Sequence, residues 1–361
     1  MKTLKKTLKI LLLLMTIIIL AVFVNFMIHK RKSTEEYQYL IDNKYIDLAD
    51  AGDYRLNIYK YGNKNPEHKI IGISGRGVND YSIEISNSLE GLDKANQIIF
   101  IDRAGYGYSD DTKRKQTVEQ VVNDYRNALK EDGIEAPYIL MPHSLGGIYA
   151  TYWESMYPNE IEGVIYIDTT ELGIDMWEKE DYSVSNIDKI GVFASELGLQ
   201  RPFIHDFYYK LPEKYSEKDQ KISDILNIKS TVTNAKLSEI RETNSNTNKA
   251  FKNIIKNDIP KIYIDASSGF TTIQEIRESG LWLKKRQKEV GIKSEETSAT
   301  DEQLNNVLKQ DENWRKTKII PYIEKMGNTK LILLPGNHQI FEEKPEELNS
   351  IIKEFIKKLD K

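Results

Sequence analysis

Residues 138–153 read YILMPHSLGGIYATYW, and this stretch decides the fold. Its first five residues are apolar and typical of a strand that is buried on both faces, while the residues from Leu145 onward are compatible with a helix. Ser144 therefore lies in a sharp strand-to-helix turn, which lifts its hydroxyl off the sheet edge and brings helix N-terminal N–H groups close to it. A serine in this position is a candidate nucleophile; the structural alternative is an ordinary helix N-cap.

Strand-like and helix-like segments alternate around this turn. The strand-like runs are short, apolar and rich in β-branched residues: 69–74, 97–102, 138–142, 163–168, 261–266 and 331–335, preceded by an alternating strand at 54–61. Helix-compatible stretches lie between the first of them, at 81–92, 117–131 and 145–157. The pattern predicts an α/β fold with a mostly parallel, doubly wound sheet covered by helices.

The turn around Ser144 resembles the nucleophile elbow G-x-S-x-G of the α/β-hydrolase superfamily, in its serine hydrolase branch. Gly146 occupies the second glycine position, whereas Pro142 stands where the first glycine usually stands. Residues 102–109 read DRAGYGYS and match the family's loop D-x-x-G-x-G-x-S in both order and spacing. The resemblance covers roughly residues 45–359 and is strongest in these sheet motifs.

The resemblance also implies an oxyanion hole. The strand at 69–74 runs into Gly75-Arg76-Gly77, where the family usually has His-Gly-x, so the implied N–H donors are Arg76 and Leu145. Ser74 replaces the usual histidine. Taken alone, GISGRG also suggests a dinucleotide-binding loop. However, its glycines are spaced G-x-x-G-x-G instead of G-x-G-x-x-G, and no acidic residue clearly follows at the distance needed to bind a ribose.

The general base is predicted to be His338. Of the five histidines, it alone follows the final predicted strand, in a segment similar to the family's G-x-H-x-x-x-x-x-P ending before a terminal helix. The acid is less clear from the sequence, because no carboxylate follows the strand at 261–266 where most of the family places it. We predict Asp168, at the end of the strand after the elbow helix, and keep Asp265 and Glu171 as alternatives.

The N-terminus carries a membrane signal. Residues 10–28 are uncharged and would rise roughly 28 Å as a helix, close to the hydrocarbon thickness of a bilayer. Lysines precede this segment and basic residues follow it, and no small-x-small cleavage site closes it. These features favour an uncleaved signal anchor over a cleaved signal peptide or a buried core helix. A slightly more positive N-terminal flank favours a catalytic domain outside the cytoplasm.

The chain divides into four predicted regions: an anchor at 1–32, a connector at 33–44, an α/β-hydrolase core at 45–170 and 258–361, and a helical cap at 171–257. The cap is assigned to a polar stretch without strand runs, and a second stretch, 270–328, is read as irregular. A net charge of −4 gives no basic surface for nucleic acid. The absence of cysteine excludes disulfides, thiolate chemistry and cysteine-based metal sites.

These features predict a single-pass, membrane-anchored serine hydrolase that cleaves a small-molecule ester or amide. An acyltransferase with the same three residues and a non-catalytic binding protein on the same fold are the alternatives. The resemblance implies neither a metal nor an organic cofactor. Four aromatic residues are candidates for an acyl pocket or for core packing: Trp177, Phe203, Phe207 and Trp282.

Overall fold

The computed structural model describes residues 2–173, 183–208, 210–290 and 299–360, and in this part of the chain eight strands form one sheet. The strands are β1 (Leu48–Asp50), β2 (Arg55–Gly62), β3 (Lys69–Ile73), β4 (Gln97–Ile101), β5 (Tyr138–Pro142), β6 (Ile161–Ile167), β7 (Lys261–Asp265) and β8 (Thr329–Leu333). Their order is β1-β2-β4-β3-β5-β6-β7-β8, and every pair from β4 to β8 is parallel. The predicted mostly parallel sheet is confirmed.

Helices cover the sheet and extend from it. They are α1 (Lys2–Asp42), α2 (Tyr81–Glu84), α3 (Val118–Glu131), α4 (Gly146–Met156), α5 (Asn186–Glu196), α6 (Ile204–Phe207), α7 (Glu217–Lys229), α8 (Asn234–Lys252), α9 (Ile273–Glu289), α10 (Asp301–Trp314), α11 (Ile320–Met326), α12 (Ile340–Glu343) and α13 (Pro345–Leu359). Short 3₁₀ turns and one π-helical turn, Arg315–Ile319, connect some of them.

The two faces of the sheet bury separate apolar layers, because successive side chains along a strand point to opposite faces. Within β5, Leu140 packs into the layer formed with α3, α4 and α11. Ile139 and Met141 pack into the other layer, together with Leu348 and Ile352 of α13. Both faces of the central strands are therefore buried, which explains their continuous apolar sequences.

Helix α1 runs without interruption from the apolar segment into the predicted connector. No glycine or proline interrupts residues 2–42, and Arg31 pairs with Glu35 one turn later, at 3.0 Å. The helix ends where Lys44 takes a left-handed backbone conformation. Residues 33–42 are thus helical, and Leu40 is fully buried against the rest of the protein.

The stretch 270–328 was expected to be irregular, and that expectation is wrong for its described part. Helices α9, α10 and α11 occupy most of it, and capping boxes at Thr272 and Thr300 begin the first two. Helices α9 and α10 bury one residue each, Ser279 and Leu304, so their sequences show little apolar periodicity. Segment 171–257, the predicted cap, contains α5 to α8 in its described part, and α8 also packs against α4.

The apolar part of α1 is long and hydrophobic enough to cross a membrane. Its most apolar window has a mean hydropathy of 2.9, and none of that window is buried against the rest of the chain. Most of the large apolar side chains between Leu4 and Ile28 face outward, with exposed fractions of about half or more, for example 63% at Ile18, whereas Val22 and Phe26 are partly buried.

Candidate active site

Ser144 lies between the end of β5 and the start of α4, as the sequence predicted. Its φ of +52° is rare for a residue with a side chain and is the conformation of a sharp, strained turn. The N–H of Thr170 donates to the Ser144 carbonyl oxygen at 3.0 Å, so the loop after β6 supports the turn. Pro142 fits as the last strand residue, because the following N–H, that of His143, donates to the Ile73 carbonyl oxygen at 3.0 Å.

Glycines surround this serine because the backbone segments approach closely. A Cβ on Gly75 would lie 2.9 Å from the Ser144 Cβ and 3.4 Å from its hydroxyl oxygen. A Cβ on Gly146 would lie 2.4 Å from the Ile73 carbonyl oxygen. Only glycine fits at both positions, so the loop after β3 and the start of α4 are held directly against the serine.

Asp168 and His338 form a hydrogen-bonded pair. The Nδ1 of His338 lies 2.6 Å from Oδ2 of Asp168, while Oδ1 accepts the N–H groups of Ala266 and Ser267 at 2.8 and 2.9 Å. Burial alone would raise the Asp168 pKa, but the hydrogen bond and charge of His338, together with the two N–H donors, hold this pKa below its usual range. The carboxylate therefore stays charged and fixes the Nδ1–H tautomer of His338, leaving Nε2 as an acceptor.

The two other candidate carboxylates face different partners. Asp265 accepts the N–H and the hydroxyl of Ser268 at 3.2 and 2.8 Å, and burial raises its pKa to about 6. Glu171 accepts the Tyr263 hydroxyl at 3.1 Å, and burial raises its pKa to about 7. Of these three carboxylates, Asp168 is the one that we assign to His338, because it is hydrogen-bonded to Nδ1 of that histidine.

His143 has a role that sequence reasoning missed. Its Nε2–H donates to the backbone carbonyl oxygen of His338 at 2.9 Å, and the two rings lie 4.6 Å apart. Burial, with the neighbouring His338 as the second cause, lowers the His143 pKa to about 3, so this ring is neutral. It fixes the loop that carries His338, and nothing in the sequence distinguishes it from an ordinary neighbour of the serine.

Arg103 fixes the loop after β3. Its guanidinium donates to the carbonyl oxygens of Ser74 and Gly75 at 2.7 and 2.8 Å. This arginine is 2% exposed and pairs at 2.8 Å with Glu239 of α8. The pair thereby connects α8 to the segment that contains Arg76. Arg103 stands inside the predicted DRAGYGYS loop, but the sequence offered no signal for its partner 136 residues later.

One cavity contains the predicted catalytic residues, and a second lies beside it. The first, of about 540 Å³, is lined by Ser144, Asp168 and His338 together with Glu171 and with Trp314 of α10. The three residues predicted to be catalytic thus face a common space.

The second cavity, of about 610 Å³, begins at Arg76 and Gln339, the chain neighbours of Gly75 and His338. Phe207 and Trp282 line this cavity, whereas Phe203 is exposed outside it and Trp177 lies outside the described residues. Within the described ranges, no group of three or more histidine or acidic side chains is placed to hold a metal ion.

Comparison with known proteins identifies the family. The chain belongs to the α/β hydrolase fold family, whose model matches residues 72–294. It is 28% identical over 277 residues to the uncharacterized protein YbdG of Bacillus subtilis strain 168. The aligned region covers 74% of this chain and 82% of that protein.

Solved structures share the fold at low sequence identity. Cfl2 from Burkholderia cenocepacia superposes with a TM-score of 0.55 at 14% identity, over 85% of this chain and 94% of its own. The enol-lactonase from Burkholderia xenovorans LB400 gives a TM-score of 0.50 at 13% identity, over 86% of this chain and 100% of its own. The family and fold predicted from the motifs are therefore confirmed, while these likenesses do not extend to substrate.

Proposed function

We propose that this chain is a membrane-anchored serine hydrolase that cleaves an ester or amide bond through an acyl-enzyme on Ser144. The observation that carries the proposal is the 2.6 Å pairing of His338 with a charged Asp168, both lining the cavity that Ser144 also lines. A serine at an elbow, a histidine with an unprotonated Nε2 and an orienting carboxylate are the parts of a serine triad.

In the proposed mechanism, His338 Nε2 takes the proton of Ser144 as its oxygen attacks the substrate carbonyl carbon. The N–H groups of Leu145 and Arg76 stabilise the oxyanion of the tetrahedral intermediate. The His338 imidazolium then protonates the leaving group, and an acyl-enzyme remains. His338 next takes a proton from water, which attacks the acyl carbon, and the proton passes to Ser144 as the carboxylic acid leaves. Asp168 stabilises the imidazolium throughout.

The first test is covalent labelling of the serine. We expect a fluorophosphonate probe to label the wild-type protein and Ser144→Ala to abolish labelling, because no other hydroxyl in the cavity is paired with a base in the proposed mechanism. Labelled peptide is quantified by mass spectrometry. Ser268→Ala is the matched control, since Ser268 lines the same cavity, and should label like wild type. Undiminished labelling of a folded Ser144→Ala protein would refute the assignment.

The second test concerns the proposed anchor, which rests on the exposed apolar half of α1. We expect the full-length chain to stay in the membrane pellet through an alkaline carbonate wash and a chain that begins at Ser33 to be released by it. The shortened chain keeps Glu36 and the buried Leu40, so it should remain folded and labelled. Release of intact full-length protein by carbonate would contradict the anchor. Protease added to intact cells should digest the domain if it lies outside the cytoplasm.

A further inference from the structure

Six large apolar side chains of the segment 187–207 face outward rather than into the protein. Ile187, Ile190 and Phe193 of α5 are 77%, 65% and 62% exposed, whereas Val192 on its other side is 7% exposed. Leu199, Phe203 and Phe207 follow with exposed fractions of 38%, 56% and 61%. We call these six residues the apolar cap face. So many exposed apolar side chains in 21 residues mark an interaction surface.

This face is fixed to the end of the apolar half of α1. The Asn25 side chain donates to the Leu197 carbonyl oxygen at 2.8 Å. Gly198 packs so tightly on His29 that an added Cβ would lie 2.4 Å from the ring. Arg201 then donates to both carboxylate oxygens of Glu36, at 2.6 and 2.8 Å, and to the hydroxyl of Ser33 at 3.0 Å. The contacts begin within the last turn of the 10–28 segment and continue two turns past it.

We propose that the apolar cap face lies in the headgroup–acyl boundary of the same bilayer that the N-terminal helix enters. The inference rests on the proposed anchor, because the contacts of Leu197, Gly198 and Arg201 place the face where that helix leaves the hydrocarbon. Basic residues 30–32 follow the apolar half of α1 directly along the chain, where a helix that leaves the hydrocarbon meets the headgroups. Continuity with the apolar helix favours a bilayer over a second copy of the chain.

The second cavity opens at this boundary. Phe207 belongs to the apolar cap face and also lines the cavity that begins at Arg76, beside the proposed oxyanion hole. Leu211 and Val290 also line this cavity, together with charged side chains that include Asp80 and Arg286. A substrate whose acyl chain rests in the bilayer therefore has a path past Phe207 to Arg76, beside the proposed oxyanion hole. The substrate class inferred for the proposed hydrolase is accordingly a membrane-resident acyl ester or amide.

Single cysteines in this cysteine-free chain test the docking directly. The full-length chain, carrying a fluorophore at Ile190→Cys, Phe193→Cys or Phe207→Cys, is reconstituted in vesicles of phosphatidylcholine and phosphatidylglycerol. Leu13→Cys reports the anchor. Ile255→Cys is the matched control, because Ile255 is also an exposed isoleucine (56%) but lies in the segment before β7, where its N–H donates to the hydroxyl of Ser155 in α4. Quenching by nitroxide-labelled lipid is compared with quenching by iodide.

We expect lipid quenching at Leu13 and at the three cap positions, with iodide quenching at Ile255. Lipid quenching at Leu13 with iodide quenching at the cap positions overturns the inference and leaves the anchor intact. Protection of the cap positions from both quenchers shows that protein covers the face and also overturns the inference. Iodide quenching at Leu13 rejects the anchor and the inference together.

A second arm tests the route to the site. We expect Ile190→Ser/Phe193→Ser to lose roughly tenfold in hydrolysis of a long-chain ester embedded in vesicles. A soluble short-chain ester should be hydrolysed as by wild type, since neither residue lines either of the two cavities described above. Equal loss on both esters, or no loss on either, overturns the proposed route. If the wild-type protein hydrolyses neither ester, the hydrolase assignment is wrong. The quenching data alone then test whether the apolar cap face lies in the bilayer.

Discussion

Asp168 and Ser144 share an uncommon backbone conformation. Both have positive φ values, +41° and +52°, and only two other non-glycine residues of the described chain do so. Strain of this kind persists only where the surroundings over-determine it, and it concentrates at functional sites. For Asp168 the N–H groups of Ala266 and Ser267 supply that constraint, because they fix one carboxylate oxygen and turn the other toward His338.

The first prediction at this scale separates the two candidate acids. Asp168→Asn should lower kcat on the order of 10⁴-fold with little change in KM, because an amide stabilises the wrong tautomer of His338 and no longer stabilises the imidazolium. Asp265→Asn should stay within about tenfold of wild type, since Asp265 binds Ser268 instead. Steady-state kinetics on one ester measure both. The reverse ranking would move the acid to the end of β7.

Local patterns were sufficient to predict the residues that stand at strand ends. Ser144, Asp168 and His338 each follow a recognisable strand, and the structure places all three around one cavity. Arg103, Glu239 and the contact of His143 with the His338 backbone were not predicted. Each depends on a partner from a distant part of the chain, and a single sequence contains no measure of such pairing.

At the element scale, strands were easier to predict than helices. Buried parallel strands must be apolar on both faces, so their sequences stand out against any background. Helices α9 and α10 are mostly exposed, and their polar surfaces resemble those of loops. The extension of α1 to Asp42 was missed for the same reason, because the polar residues 33–39 read as a linker although nothing in them breaks a helix.

One buried ion pair connects α4 to β7. Glu154 and Lys261 have fully buried side chains, and the Lys261 Nζ lies 3.5 Å from a Glu154 oxygen. Burial raises the Glu154 pKa to about 7 and lowers that of Lys261. The lysine also donates to Asn257 at 2.7 Å and to the Ile259 carbonyl oxygen at 3.0 Å. The pair is therefore a structural connection between elements far from the candidate site.

Replacing Lys261 should show how strongly the free energy of unfolding depends on this buried pair. Lys261→Met should lower the free energy of unfolding by about 3–5 kcal/mol at pH 8, because it leaves a buried carboxylate without its partner. The loss should be smaller at pH 5, where Glu154 is protonated, and the double variant with Glu154→Gln should recover most of it. Urea unfolding measures all three proteins. Lys358→Met, which removes an exposed pair with Glu354, is the control and should change little.

Several carboxyls across the whole molecule are buried with raised pKa values. Burial is the largest cause in each case, and the values are about 6 or about 7: Asp80, Asp102, Asp124, Asp265, Glu154 and Glu171. Below about pH 4 these groups are protonated in both states. Between that pH and their folded pKa the folded state holds more protons than the unfolded chain, so their contribution to stability is lost progressively as pH rises from about 4 to about 6 or 7.

Asp124 isolates this effect, because it lies in α3, accepts hydrogen bonds from Tyr54 and Gln120 and lines neither cavity. The free energy of unfolding of Asp124→Asn should gain on that of wild type as pH rises from about 4 to about 6, by at most about 1.4 kcal/mol per pH unit, and the difference should level off above that range. The lowered pKa of His143 gives the free energy of unfolding the opposite pH dependence. This contribution cancels when the variant is compared with wild type. Asp188→Asn, at the exposed start of α5, is the control. A difference between Asp124→Asn and wild type that stays constant with pH would contradict the raised pKa of Asp124.

The unbroken path of α1 from its apolar half to the buried Leu40 has a consequence for the proposed membrane-anchored enzyme. A flexible linker would let a catalytic domain sample a volume of solution around its anchor, whereas a helix that packs onto the domain holds it at one height and one tilt. With the proposed anchor and a substrate in the same bilayer, we expect enzyme and substrate to meet by lateral diffusion in a plane. For the proposed activity, the rate should follow the mole fraction of substrate in the membrane and should be insensitive to the volume of the surrounding solution.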